Sequence, residues 1–149
     1  MQSLFNPDAN QLVIQRINKL TPISLSEWGK MTVSQMLLHC QQPINVSRGT
    51  LVLKPNLISF LFGKMAKKKM AGAQPFRHSL PTIKEFKITH EPDFETEKQN
   101  LIALVKTFSD EGHAAIKVTK HPFFGEMTMQ EWDTLQWKHL DHHLKQFGV

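Results

Sequence analysis

Apolar positions recur at helical spacing in five segments of the chain, and the polar intervals between them carry start and stop signals. From Pro7 to Leu20, the residues Leu12, Val13, Ile17 and Leu20 mark one face. Pro7 suits a first helical turn, and Pro22 closes the segment. A second helix is expected from Thr32, where Thr32-x-x-Gln35 has the form of a capping box and Val33, Met36, Leu37 and Cys40 supply the apolar side. It should continue past Pro43 to about Arg48. Pro43 has no N–H for the His39 carbonyl, which predicts a kink one turn beyond His39. Asn56 to Met70 reads as a third helix.

From Ala71 to Pro92 the periodicity fails. Gly72, Pro75, Pro81 and Pro92 punctuate a long irregular connection with only short alternating runs such as Ile83 to Ile88. Connections of this length are commonly functional or poorly ordered. A fourth helix is expected from Phe94 to Ser109, with Leu101, Leu104, Val105 and Phe108 on one side and Gly112 soon after its end. The loop Lys117 to Glu126 contains His121-Pro122-Phe123-Phe124-Gly125. The last helix opens with a second capping box, Thr128-x-x-Glu131, and ends at Phe147 with Gly148 in the C′ position. No internal repeat interrupts this order, so the pattern predicts an all-α protein.

Composition narrows the picture. A chain of 149 residues, 40% apolar and 21% charged, fits a single domain over residues 1–149. No stretch reaches the length of an apolar membrane span, and Met1 to Ala9 lacks a secretory signal pattern, so a soluble cytoplasmic protein is expected. The one cysteine, Cys40, cannot form an internal disulfide or a Cys-rich cluster, and it faces the apolar side as a buried inert thiol. Any metal must therefore be held by His or carboxylates, and there are eight His. Tyr is absent, which removes the phenol as a catalytic acid. The formal charge of +5 raises nucleic acid or an anionic membrane as partners. Much of that excess is local: Lys64, Lys67, Lys68 and Lys69 trail the apolar run Leu57, Ile58, Phe60, Leu61 and Phe62 instead of alternating with it along a face. This reads as a core-packed helix with a solvated basic end, so no nucleic-acid partner is expected and a membrane surface is disfavoured.

The densest chemistry lies in Trp137-Lys138-His139-Leu140-Asp141-His142-His143. Residues four apart on a helix lie one turn above another, about 6 Å apart, so His139 and His143 can converge on one ion; His139 and His142, three apart, could also converge. At about 100° per residue, Met129, Trp132, Leu140, Leu144 and Phe147 centre near His143 and then His139, and His142 falls toward the rim. That favours His139 and His143 as ligands. Leu140 excludes the zincin His-Glu-x-x-His helix, and Gln136 excludes the Glu-x-x-His unit of a di-iron bundle. What remains is a mononuclear site with a third His, for which His39 is the candidate. A core-edge histidine bonded to a backbone carbonyl is the competing role for His39.

Trp28-x-x-Met31-Thr32-x-x-Gln35-Met36-Leu37-x-His39, then His121-Pro122-Phe123-Phe124-Gly125, then His139-Leu140-Asp141-His142-His143-Leu144-x-Gln146-Phe147 resembles the DinB-like superfamily, in a bacterial branch of unknown function. The likeness is specific at both ends and weak from Leu51 to Glu97. It implies a DinB/YfiT-like four-helix bundle with a divalent ion held by one His of the second helix and two of the last, here His39, His139 and His143. Zn is the first expectation, with Ni or Fe as alternatives. The superfamily includes thiol-dependent transferases and metal-dependent hydrolases, and its bundles often pair as homodimers.

Three imidazoles leave coordination positions open for water or a substrate donor. Hydrolysis usually wants a base near the water, yet no carboxylate is spaced to join the three His. Asp141 points away from His139. His142 or His121 are the candidates for proton transfer, although His121-Pro122 also suits a simple turn. This gap tilts the expectation toward a transferase using a low-molecular-weight thiol on a small-molecule substrate, over a hydrolase. Gln35 and Gln146 lie about one turn from His39 and His143, within reach of supporting hydrogen bonds. The long connection and the His121 to Gly125 loop should border the mouth of the site, with Arg77 and His78 suited to an anionic group. The other class of function is a non-enzymatic bundle that docks a membrane surface or protein partner through its basic third helix.

Overall fold

Four of the helices begin where a side chain satisfies one of their first free N–H groups. In the computed structural model, which describes residues 2–54, 57–72, 74–78 and 80–149 without the side chains of 57–62 and 64, α1 spans Pro7–Lys19. Its cap is Asn6, and Pro7 takes the first turn. In α2, Val33–Ser47, Thr32 Oγ1 accepts from the Gln35 N–H at 3.2 Å while Gln35 Oε1 accepts from the Thr32 N–H at 3.1 Å. In α5, Met129–Gln146, Thr128 and Glu131 repeat this exchange at 3.1 and 2.8 Å. Asp93 caps α4, Phe94–Glu111, which stops at Gly112 with φ +59°, a conformation that glycine adopts without a Cβ penalty. α3, Leu57–Met70, is the fifth. α2 runs unbroken through Pro43.

Four helices pack together, α2 on α4 and α5, and α1 on α4 and α5. Their shared core includes Ile17, Met36, Ile44, Leu101, Phe108 and Trp132, all essentially inaccessible to solvent. One expectation on α1 is corrected: Leu12 is 50% exposed, and Ile14 takes its place at 9%. The stripe that faces inward is Asn10, Val13, Ile14 and Ile17, the i, i+3, i+4, i+7 series. Its first member is polar and hides the register from a hydrophobicity reading. Buried Asn10 is satisfied because Nδ2 donates to the carbonyls of Leu4 and Val105, both at 2.8 Å.

Among the described residues, the connection from 71 to 93 holds a single 3₁₀ turn, Lys84–Phe86, at the place of the expected alternating run. Between α4 and α5 stand a second 3₁₀ turn, Gly112–Ala115, and a two-residue hairpin not foreseen from the sequence, β1 Lys120–His121 against β2 Gly125–Glu126. α3 lies over that hairpin. Gly63 is buried so close to it that a Cβ would collide with the Phe123 carbonyl, and Lys67 Nζ reaches Glu131 at 2.9 Å and the Glu126 carbonyl at 2.9 Å. Lys68 and Lys69 are exposed. The side chains of the expected apolar run Leu57 to Phe62, the Lys64 side chain and the expected helix start at Asn56 lie outside the described residues. Among the described residues, no helix is long and apolar enough to cross a membrane.

Candidate metal centre

α2 and α5 pack side by side, and the contact brings His39 onto the two histidines of α5. The three ring centroids form a nearly equilateral triangle: 4.9 Å from His39 to His139, 4.7 Å from His39 to His143, and 4.6 Å from His139 to His143. One ring nitrogen of each lies within 4.8 Å of those of the other two. His39 Nε2 and His139 Nε2 are 3.1 Å apart. Two nitrogens each about 2.0–2.1 Å from a common zinc stand about 2.8–3.4 Å apart at angles between square and tetrahedral, so this spacing suits a shared ion.

The remaining ring nitrogens explain which lone pairs face inward. His39 Nδ1 donates to the Phe86 carbonyl at 2.9 Å. A carbonyl only accepts, so Nδ1 carries the proton and Nε2 is the free donor atom. His143 Nδ1 lies 2.8 Å from Gln146 Oε1. The amide orientation follows from its other end, where Gln146 Nε2 donates to the Trp28 carbonyl at 2.6 Å. Oε1 must then accept, and His143 Nε2 is left free. Gly29, at φ +83°, makes room for this bridge, since a Cβ there would lie 2.5 Å from Gln146 Nε2. Among the described residues His139 Nδ1 is buried without a partner, so no hydrogen bond holds that ring from behind.

Burial lowers all three pKa values below the ordinary histidine range. For His39 desolvation outweighs the opposing bond to the Phe86 carbonyl. In His139 desolvation acts together with the neighbouring imidazoles. His143 is held down to about 3, chiefly by desolvation. Neutral imidazole is the form that binds a cation.

The three histidines open into a cavity of about 290 Å³. Phe76, Ile83 and Phe86 reach it from the long connection and Phe123 and Phe124 from the hairpin. The two segments expected at the mouth therefore do line it. His142 lines it too, with its ring centroid 5.0 Å from that of His143, and also faces a second cavity of about 280 Å³. His121 is a further lining residue. Its Nδ1 accepts from the Phe123 and Phe124 N–H groups at 3.0 and 3.3 Å, and its ring stacks on Phe124 at 4.2 Å and 16°. The neutral ring therefore carries its proton on Nε2 and offers a donor, while desolvation lowers its pKa to about 4.

Other sequence candidates have different roles. Gln35 is spent on the α2 cap and on the His90 carbonyl at 3.0 Å. His78 stacks face to face on Trp28 at 3.9 Å, and Arg77 is exposed. Asp141 is held by Arg16 at 2.9 Å and Lys145 at 2.7 Å. Cys40 is buried with Sγ against Met36 Sδ at 3.6 Å, and desolvation pushes its pKa up. Sequence reasoning had no signal for the Phe86 carbonyl, because a backbone acceptor in an irregular segment leaves no mark in residue type.

A family model described as a protein of unknown function (DUF1569) matches residues 2–148. No curated protein and no solved structure matches the chain.

Proposed function

Because the chain belongs to the DUF1569 family, whose description assigns no activity, we propose from the site itself that this is a metal-dependent enzyme of DinB-like type acting on a small molecule, with His39, His139 and His143 holding one divalent ion. The observation that supports this reading is the convergence of three ring nitrogens within 4.8 Å, two of them aimed inward by carbonyl acceptors on the far side of their rings. An all-histidine donor set suits zinc first and nickel or iron next. When bound, such an ion supplies Lewis acidity to an oxygen or sulfur atom of the substrate.

The chain's own groups would then divide the remaining work. Phe86 and Gln146 hold two of the imidazoles in one tautomer. The phenylalanines of the connection and hairpin restrict water. His142, at the rim, is placed to accept or return a proton, whereas His121 serves as a fixed N–H donor. No carboxylate is among the described residues that line the cavity. Hydrolysis therefore lacks its usual base, and group transfer involving a low-molecular-weight thiol is the better supported reaction.

Metal analysis of protein prepared without a His tag tests the reading. We expect about one ion per chain, a rise in melting temperature on adding zinc to chelator-treated protein, and loss of both in His139→Ala. Wild-type protein that binds no divalent ion above background would overturn it.

A further inference from the structure

We propose that the cavity above the three histidines takes an uncharged apolar small molecule, an aromatic or alkyl body attached to a single metal-ligating atom such as sulfur. The inference deepens the metal reading above and rests on it. Apolar walls converge from three separate parts of the chain: Phe76, Ile83 and Phe86 from the connection, Phe123 and Phe124 from the hairpin, and Leu135 from α5. The described residues lining the cavity include no Lys, Arg, Asp or Glu, and their polar side chains are Thr82 and the histidines. Beyond the donor atom that meets the ion, a sulfonate, carboxylate or ammonium group on the ligand's body would shed water against walls that offer no charged side chain, which is costly. An aromatic body would replace water on surfaces that gain from losing it.

The charged side chains stand on the other side of a partition. Phe76 and His142 line both cavities, and the second one carries Lys138, Asp141 and Lys145. Those charges already have partners. Lys138 Nζ donates to the carbonyls of Lys69, Met70 and Gly72 at 3.3, 2.8 and 2.7 Å, closing the C-terminal end of α3. Asp141 bridges Arg16 and Lys145. Charge is thus satisfied outside the chamber that holds the histidines. At about 290 Å³ the chamber sits near the lower end of ligand pockets, which run from roughly 300 to 1,000 Å³, and so suits one ring or a short chain.

Two thiols with the same donor atom separate the possibilities: benzyl mercaptan, with a neutral aromatic body, and 2-mercaptoethanesulfonate, with an anionic one. Each is titrated calorimetrically into zinc-loaded protein after its zinc content has been measured. Benzyl mercaptan should bind at least about tenfold tighter, because ring burial adds to the same sulfur contact. Placing a cation on the exposed, cavity-lining Thr82, as Thr82→Lys, should narrow that preference several-fold without changing zinc content. Equal or reversed affinities in zinc-loaded wild-type protein would overturn the pocket inference and leave the metal reading standing, as would an unchanged preference in Thr82→Lys. Failure to take up zinc at all would overturn both.

Discussion

Replacing His121 with Asn should lower stability at high pH and lower it less, or not at all, in acid. In the fold the His121 imidazole is 7% exposed and its pKa falls from 6.5 to about 4 by desolvation. Below pH 6.5 the unfolded chain therefore binds a proton that the folded chain refuses, and stability is lost as pH falls toward 4. Above 6.5 the contribution is fully present. The linkage amounts to about 2 kcal/mol lost at pH 5 and about 3 kcal/mol below pH 4. Asn keeps an oxygen near the place of Nδ1, so the Phe123 and Phe124 N–H groups retain an acceptor while the titrating group is gone. What Asn forfeits is the ring, stacked on Phe124 at 4.2 Å and tilted against Trp132 at 5.1 Å, at a cost of roughly 1–2 kcal/mol. Urea unfolding of both proteins, freed of metal, should show the wild type ahead by that amount at pH 8. By pH 5 the two should converge or cross. The three clustered histidines are common to both proteins and cancel in the difference. A gap between wild type and variant that stays constant from pH 8 to pH 5 would refute the reasoning.

Gln146→Leu removes the acceptor that fixes His143 and the donor to the Trp28 carbonyl, and zinc affinity measured by competition with a chromophoric chelator should fall about 10- to 100-fold. Gln136→Leu deletes the buried bond from Gln136 Nε2 to the Pro43 carbonyl at 2.9 Å; it should cost about 1–3 kcal/mol in urea unfolding and weaken zinc binding as well. Asn10→Ala, between α1 and α4, should cost a similar amount and leave zinc affinity within about twofold, because neither carbonyl it holds, that of Leu4 or that of Val105, lies on a helix that carries a ligand.

The parts of this fold written in local chemistry were legible in the sequence. Thr32 with Gln35 and Thr128 with Glu131 announced the starts of the two ligand-bearing helices, because a capping box is satisfied within four residues. His139 and His143 were legible for the same reason: helical periodicity alone places them on one face. Parts that depend on distant backbone were not. The Phe86 carbonyl reaches His39 across 47 positions in the chain, and the hairpin from Lys120 to Glu126 depends on a turn at Gly125 with φ +74° and on α3 packed over it. Asn10 misled the reading of α1, since a buried amide satisfied by two carbonyls occupies a core position that hydrophobicity scales count as surface.

Three imidazoles can serve one ion only if α2 and α5 keep a single register, because a slip of one helical turn would carry His39 about 5.4 Å along its partner. Apolar packing alone tolerates such slips, since Leu and Ile ridges repeat every turn. The bond from Gln136 to the Pro43 carbonyl does not, because its loss would leave polar groups unpaired in the core. Its two ends lie close to the ligands along the chain: Gln136 is three residues before His139, and Pro43 is four after His39. Gln136 itself is 1% exposed. The register of the site is therefore set by a polar contact about one turn below it. The same residue that excluded a carboxylate-bridged di-iron bundle on sequence grounds is the one that aligns the three-histidine cluster.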